Sequence, residues 1–302
     1  MCGGLLADRV DMPAAPGIPR QNLPECIQLF PAKDIFKTSP EGEPERVFCI
    51  CLLHGLHTTQ QRNGIDIILA TPLKSGPVKQ RRNFMDSDFW HVRWQTNQIG
   101  FHQNEINPYL VRYWPSLQLE RQSRVFVPLC GKTLDMIWLL DQGHTIVGNE
   151  ISRLAVAAFF AENRLTPGIR RETGFTRWSC DRIEVLCGDF FGLTATDTGR
   201  IDALYDRAAL IALTPAQRTR YAARITEMLE PQTPGLLVTL DYEQQTMQGP
   251  PFAVSAEEVS NLYQDAFSVE QLVHTEIIES QPQFREKGLN TLYESVYRLQ
   301  RR

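Results

Sequence analysis

Residues Arg124 to Asp135, Arg-Val-Phe-Val-Pro-Leu-Cys-Gly-Lys-Thr-Leu-Asp, constrain the fold of this chain more than any other stretch. Val125 to Leu129 reads as a buried strand that halts at a tight turn. A helix opens at Lys132 and runs to Gln142, with Gly143 as its C-terminal glycine. A second strand, Thr145 to Glu150, ends in a carboxylate. Strand, glycine turn, helix and a second strand with a terminal acid is how α/β proteins hold an adenosine moiety. The turn lets the ligand approach the backbone, and the acid accepts hydrogen bonds from both ribose hydroxyls.

The glycines are too few for a pyrophosphate on the helix N-terminus, which G-x-G-x-x-G would permit. Only Gly131 is available, and Leu129 and Cys130 carry side chains that crowd a pyrophosphate. A ligand with ribose and adenine but no phosphate fits better, and S-adenosylmethionine is the common one. The same residues also fit an ordinary strand-turn-helix in which Glu150 is a solvated strand-end acid.

Strand and helix signals alternate through the rest of the chain. Asp86 to Phe101 forms an amphipathic segment, and Asn107 caps a short helix with Pro108 at its first position. Ser152 caps a helix to about Asn163, Thr214-Pro215 opens one to about Leu229, and Ser255 opens another with Glu258 at the third position, as in a capping box. Further strands are Ile183 to Gly188, Asp202 to Tyr205 and Leu236 to Leu240, followed by β-rich runs Ser268 to Glu279 and Thr291 to Leu299. The pattern predicts an α/β fold: a seven-stranded, mostly parallel sheet with helices on both faces and an antiparallel pair at one edge. Leu129, Cys130, Glu150, Gly188, Asp189 and Arg207 all fall at carboxyl ends of predicted strands, where such sheets bind ligands.

Composition shifts at Met85. All five tryptophans follow it, while nine of the 19 prolines precede it. Residues 1 to 84 are therefore expected to be a disordered or poorly packed extension. Met85 is expected to be the natural start, and residues 85 to 302 a single domain. In the extension only Val47 to Leu53 and Ile65 to Leu69 have the look of strands. A formal charge of −4 argues against a nucleic-acid or anionic-membrane surface, and no apolar run is long enough to span a bilayer. Seven cysteines without framework spacing indicate reduced thiols and a cytoplasmic location.

Six segments in order resemble the thiopurine S-methyltransferases: Trp90-His-Val-Arg-Trp94 with Gly100-Phe-His102, Pro128-Leu-Cys-Gly-Lys132, Gly143-His-Thr-Ile-Val-Gly-Asn-Glu-Ile-Ser152, Asp206-Arg-Ala-Ala-Leu-Ile-Ala212 and Gly249-Pro-Pro-Phe252. The resemblance runs from Asp86 to the end. It implies a Rossmann-like class I methyltransferase fold that uses S-adenosylmethionine and releases S-adenosylhomocysteine. Position by position, it implies cofactor contacts for Trp94, Leu129, Glu150, Gly188, Asp189 and Arg207, and substrate contacts for Phe101, Arg207 and Arg285. Asn149 departs from the small or apolar residue usual before the acid, and the 84-residue extension has no counterpart. The family's acceptors are aromatic or heterocyclic thiols such as thiopurines, with selenium and tellurium species also linked to bacterial members. The expected partner is a small-molecule thiol, and the expected state a monomer.

Methyl transfer from a sulfonium to a thiolate consumes positive charge, so it needs neither an oxyanion hole nor a metal. It needs the two reacting atoms held about 3–3.5 Å apart in a water-excluding pocket. No catalytic base and no metal ligand is assigned, because aromatic thiols ionise near neutral pH. Arg207 and Arg285 are expected to favour the anionic acceptor. Trp94 is expected to be a lid over the cofactor and Trp90 core, with His102 and His144 structural. A nicotinamide-dependent oxidoreductase and a non-enzymatic sensor of adenosine ligands are the competing functions.

Overall fold

The computed structural model describes Thr58–Arg62, Ile65–Leu69 and residues 87 to 302. The chain divides into two units, residues 1 to 80 and 81 to 302. In the first, β1 (Thr58–Arg62) pairs antiparallel with β2 (Ile65–Leu69), Thr58 opposite Leu69 and Arg62 opposite Ile65. Only Asn63 and Gly64 lie between them, a dipeptide that favours two-residue hairpins. Ile65 to Leu69 is thus a strand, as expected, while Val47 to Leu53 and the rest of the expected extension lie outside the described residues.

The second unit is built on one sheet. Its strands are β3 (Arg124–Val127), β4 (Thr145–Glu150), β5 (Gly168–Arg171), β6 (Phe175–Cys180), β7 (Ile183–Gly188), β8 (Ala203–Arg207), β9 (Pro234–Asp241), β10 (Phe267–Glu276) and β11 (Tyr293–Arg301). They lie in the order β10-β11-β9-β8-β3-β4-β7-β6-β5. The five central strands are parallel, and both edges are antiparallel. The chain is therefore the expected α/β fold with two corrections. The sheet has nine strands rather than seven, and it carries an antiparallel pair at each edge rather than at one. The unforeseen strands are β5 and β6. Every residue of β5 is exposed, so it carries no alternating apolar signal to betray it.

Central strands bury both faces, which is why they read as continuous apolar runs. Successive residues point to opposite sides. Val125, Val127, Ile146, Val185 and Tyr205 pack in one core with Leu110 of α2 (Pro108–Tyr113), Met136 and Leu139 of α3 (Asp135–Asp141), and Phe159 of α4 (Arg153–Glu162). Phe126, Val147, Leu186, Leu204 and Leu237 pack in the other with Tyr221 and Ile225 of α6 (Pro215–Met228), and Val259 and Tyr263 of α7 (Ala256–Tyr263). A single-turn helix α5 (Ala195–Thr198) precedes β8.

The caps fall where the sequence puts them. Asn107 accepts from the N–H groups of Tyr109 and Leu110, Ser152 from Ala155, and Thr214 forms a reciprocal box with Gln217. Ser255 accepts from the N–H of Glu258, but the Glu258 carboxylate turns away to pair with Arg218 of α6. Helix α3 starts three residues later than expected. Thr133 takes up the intervening turn, donating its N–H to the Cys130 carbonyl and accepting from the N–H of Asp135.

Candidate active site

The parallel strands end on one side of the sheet, and the end of β3 sets the site. Leu129 and Gly131 both adopt left-handed backbone, with φ of 48° and 55°. Such a conformation strains leucine and suits glycine. The turn it makes presents the Gly131 N–H to Glu150 Oε2 at 2.9 Å. Ser152 donates its N–H to the other oxygen, Oε1, at 2.7 Å. Each carboxylate oxygen thus holds one backbone donor and keeps lone-pair capacity for a ligand hydroxyl. Glu150 is 5% exposed and lines the pocket.

Asn149 is fully buried. Its side-chain amide donates to the carbonyls of Leu186 and Gly188 at 3.0 Å each, tying β4 to the end of β7. It strengthens the strand pair beneath the site and leaves the Glu150 carboxylate untouched.

Helix α1 (Ser87–Gln95) covers the pocket. Trp90, Arg93 and Trp94 lie three and four residues apart, so they share one helix face. A Cβ placed on Gly131 would stand 3.3 Å from the Trp94 indole, so only glycine lets the ring lie over the turn without a shift. Phe101 packs edge-on against Trp90 and Trp94, with centroids 5.5 and 5.6 Å apart. Arg207, Ala208, Ile211, Ala212, Pro250 and Pro251 also line the cavity. Ala208, like Leu129, is a non-glycine lining residue in left-handed backbone, at φ 69°. The cavity encloses about 870 Å³, its mouth included.

Of the residues singled out in the sequence, Trp94, Phe101, Leu129, Glu150 and Arg207 line this one pocket. Gly188 and Asp189 stand at the end of β7, next to β4 but not in the lining. The exposed Asp189 carboxylate accepts from the Phe191 N–H and caps a short turn. Arg285, at the end of α8 (Pro282–Arg285), pairs with Glu279 and does not line the pocket. Two expectations need correction. Trp90 is a pocket wall rather than core, and His102 lines the pocket rather than serving only the fold. His144 is structural as expected, buried and accepting from the Trp114 indole N–H at 3.0 Å. Arg93 and Lys132 also line the site without having been singled out for it. The i, i+3, i+4 spacing of Trp90, Arg93 and Trp94 was the available signal for Arg93.

The electrostatics are uneven. Burial pushes the Glu150 carboxyl up to about 7, against the pull of backbone donors from Ser152, Gly131 and Ile151. Burial and the Glu150 charge keep the Cys130 thiol well above its ordinary range, so it is not a nucleophile. Burial and the Lys132 charge lower His102, which favours its neutral form.

A pH dependence follows from Glu150. Hydroxyl donors favour the carboxylate over the carboxylic acid. Below about 7 a bound nucleoside must first displace the proton, so its affinity is expected to fall by up to about tenfold per pH unit there and to level off above. Titration calorimetry of the wild type and Glu150→Gln across neutrality checks this. The wild-type curve should slope and the variant's should be flat. Two parallel curves would remove Glu150 as the cause.

Comparison with known proteins agrees with this geometry. The profile of the family described as thiopurine S-methyltransferase matches residues 85–302. A thiopurine S-methyltransferase of Pseudomonas fluorescens is 48% identical over 215 residues, 71% of this chain and 99% of that one. One from Nitrosospira multiformis is 46% identical over 218 residues, 72% of this chain and 99% of that one. Among solved structures, the Burkholderia thailandensis 1,6-didemethyltoxoflavin-N1-methyltransferase, crystallised with 1,6-didemethyltoxoflavin and S-adenosylhomocysteine, superposes with a TM-score of 0.50 at 15% identity. The match covers 71% of this chain and 86% of that one. A structure from work on converting a disulfide bond into a thioacetal group in echinomycin biosynthesis gives 0.51 at 13% identity, over 72% of this chain and 93% of that one. At such identities the likeness is one of fold. The relatives span nearly their whole length on residues that build the pocket, and on that ground the chain belongs to the thiopurine S-methyltransferase family.

Proposed function

We propose that this protein transfers the methyl group of S-adenosylmethionine to the sulfur of aromatic and heterocyclic thiols such as thiopurines, or to selenium and tellurium species, leaving S-adenosylhomocysteine. One observation carries the reading: a buried carboxylate, Glu150, with acceptor capacity left on both oxygens, beside a turn whose single glycine, Gly131, falls short of the glycine set a pyrophosphate loop needs. That donor set fits a phosphate-free nucleoside and disfavours a nicotinamide dinucleotide.

The sulfonium, when bound, supplies an activated methyl group. The chain's own residues do the rest by binding and exclusion. Glu150 holds the ribose, the Leu129 backbone flanks the nucleoside, and Trp94 closes over the turn. Gly188 and Asp189 read the adenine edge from the neighbouring strand. Phe101, with the apolar wall of Ile211, Ala212, Pro250 and Pro251, seats a flat acceptor ring and sheds water. Arg207 favours the thiolate over the thiol. Arg285 reaches the acceptor only if it leaves Glu279.

The acidic balance of the chain, at −4, supports a small-molecule enzyme without a nucleic-acid partner. Free Cys130, Cys180 and Cys187 support a reducing, cytoplasmic setting. Among the described residues no helix is long and apolar enough to cross a membrane. We take the working unit to be a monomer.

Incubation with methyl-labelled S-adenosylmethionine and a panel of thiols tests the function. Label is expected in the thioether product. Binding of the cofactor with no transfer to any acceptor would make the protein a sensor instead. The lining among the described residues follows Met85, so a protein beginning there is expected to match the full chain in activity. A steady-state assay of the two forms checks it, and failure of the shorter form to fold would contradict it.

A further inference from the structure

The pocket contains more positive charge than the proposed function has used. Lys132 is committed to Glu162 at 2.6 Å. Arg93 and Arg207 both line the cavity, and neither guanidinium has an ion-pair or hydrogen-bond partner among the described residues. Arg93 is the more telling of the two. Its guanidinium stacks on the ring of Phe89, one turn back along α1, with 4.6 Å between the guanidinium carbon and the centroid. Its Nε is buried with no acceptor. A buried guanidinium N–H left unpaired is costly, and one facing a ligand cavity marks a place where the ligand brings the acceptor.

Position decides which anion that is. The next residue, Trp94, lies against the Gly131 turn, whose N–H holds Glu150. Arg93 is therefore one residue from the ring that lies over the nucleoside turn, and it lines the same cavity as Glu150. A molecule of S-adenosylmethionine with its ribose on Glu150 carries one anionic group, the carboxylate of its amino-acid tail. We propose that Arg93 receives this carboxylate, so that the cofactor's tail is gripped from helix α1 above, and Arg207 is left to the acceptor thiolate. The inference rests on the nucleoside reading of Glu150. The planar fork of arginine suits a carboxylate bidentately. Gripping the tail also fixes α1, with Trp90 and Trp94, over the pocket, which couples cofactor binding to closure of the acceptor site.

Two ligands separate this role from a structural one. S-adenosylhomocysteine and 5′-methylthioadenosine share the nucleoside and the sulfur, but only the first has the amino-acid carboxylate. Titration calorimetry on the full chain is expected to show that Arg93→Gln and Arg93→Ala weaken S-adenosylhomocysteine by about tenfold or more. Methylthioadenosine should bind the variants as it binds the wild type, which also shows that they are folded. Arg93→Lys should restore part of the loss. Unchanged affinity for S-adenosylhomocysteine would overturn the proposal, as would equal losses for both ligands. A raised KM for the thiol with unaltered cofactor binding would move Arg93 to the acceptor and overturn it too. If the wild type bound neither ligand, the nucleoside reading itself would fall, and this inference with it.

Discussion

Glu150→Ala is expected to weaken binding of S-adenosylmethionine and S-adenosylhomocysteine by about 1–3 kcal/mol, the usual cost of losing a charged hydrogen-bond acceptor. In rate terms the loss should appear mainly in KM for the cofactor, because the carboxylate grips the ribose in ground state and transition state alike. The thermal midpoint should change little or rise. Glu150 is buried and held by backbone N–H groups with no cation beside it among the described ion pairs, and its raised pKa is the mark of a desolvated charge that the empty fold carries at a cost. Calorimetry and a melting curve on the same preparation separate the two effects. A variant with an unaltered dissociation constant would reject the ribose role. A variant that unfolds would show that the carboxylate serves the turn more than the ligand.

Glu258→Ala should lower the free energy of unfolding by about 3 kcal/mol, read from a denaturant titration, because it leaves a buried charge without its partner. Arg218 of α6 is 1% exposed and pairs across to Glu258 of α7. Its Nε donates to the Leu213 carbonyl, its Nη1 reaches Glu258, and Nη2 has no partner. The effect should reach the site as well. The Arg218 guanidinium lies 5.9 Å from the Phe252 ring, and the Phe252 N–H donates to the carbonyl of Ile211, a residue of the apolar pocket wall. Replacing both partners by apolar residues, as in Arg218→Met with Glu258→Leu, should recover most of the stability, since paired removal leaves no orphaned charge. Equal stability of wild type and Glu258→Ala would mean that water entering beside the half-exposed Glu258 position already compensates Arg218.

The sequence made the nucleoside half of the site legible and the lid only in part. Strands β3, β4 and β7 could be read because central parallel strands are apolar on both faces and end in punctuation: the Leu129 turn, Glu150 before a capping serine, and Gly188. The edge strands β5 and β6 were hidden. An edge facing water needs few apolar residues, and in β6 the two buried aromatics, Phe175 and Trp178, point into opposite cores. Trp94 was legible only through the family motif, and Arg93 only through its helical spacing from Trp90, which does not say which way that face turns. Whether a polar residue on a short helix faces solvent or a cavity depends on what the helix packs against, and nothing local records that. His102 illustrates the same point. It lacks metal-ligand partners in sequence, yet tertiary packing brings it beside Lys132 and Arg207. Arg285 shows the converse: a residue placed by loose local similarity lands on an exposed helix end in a pair with Glu279.

The most direct test of the central claim is a crystal structure of the protein with S-adenosylhomocysteine. Both ribose hydroxyls are expected within hydrogen-bonding distance of the Glu150 carboxylate, with the Trp94 ring over the Gly131 turn. A nucleoside seated elsewhere, or Glu150 turned away from an occupied pocket, would contradict it.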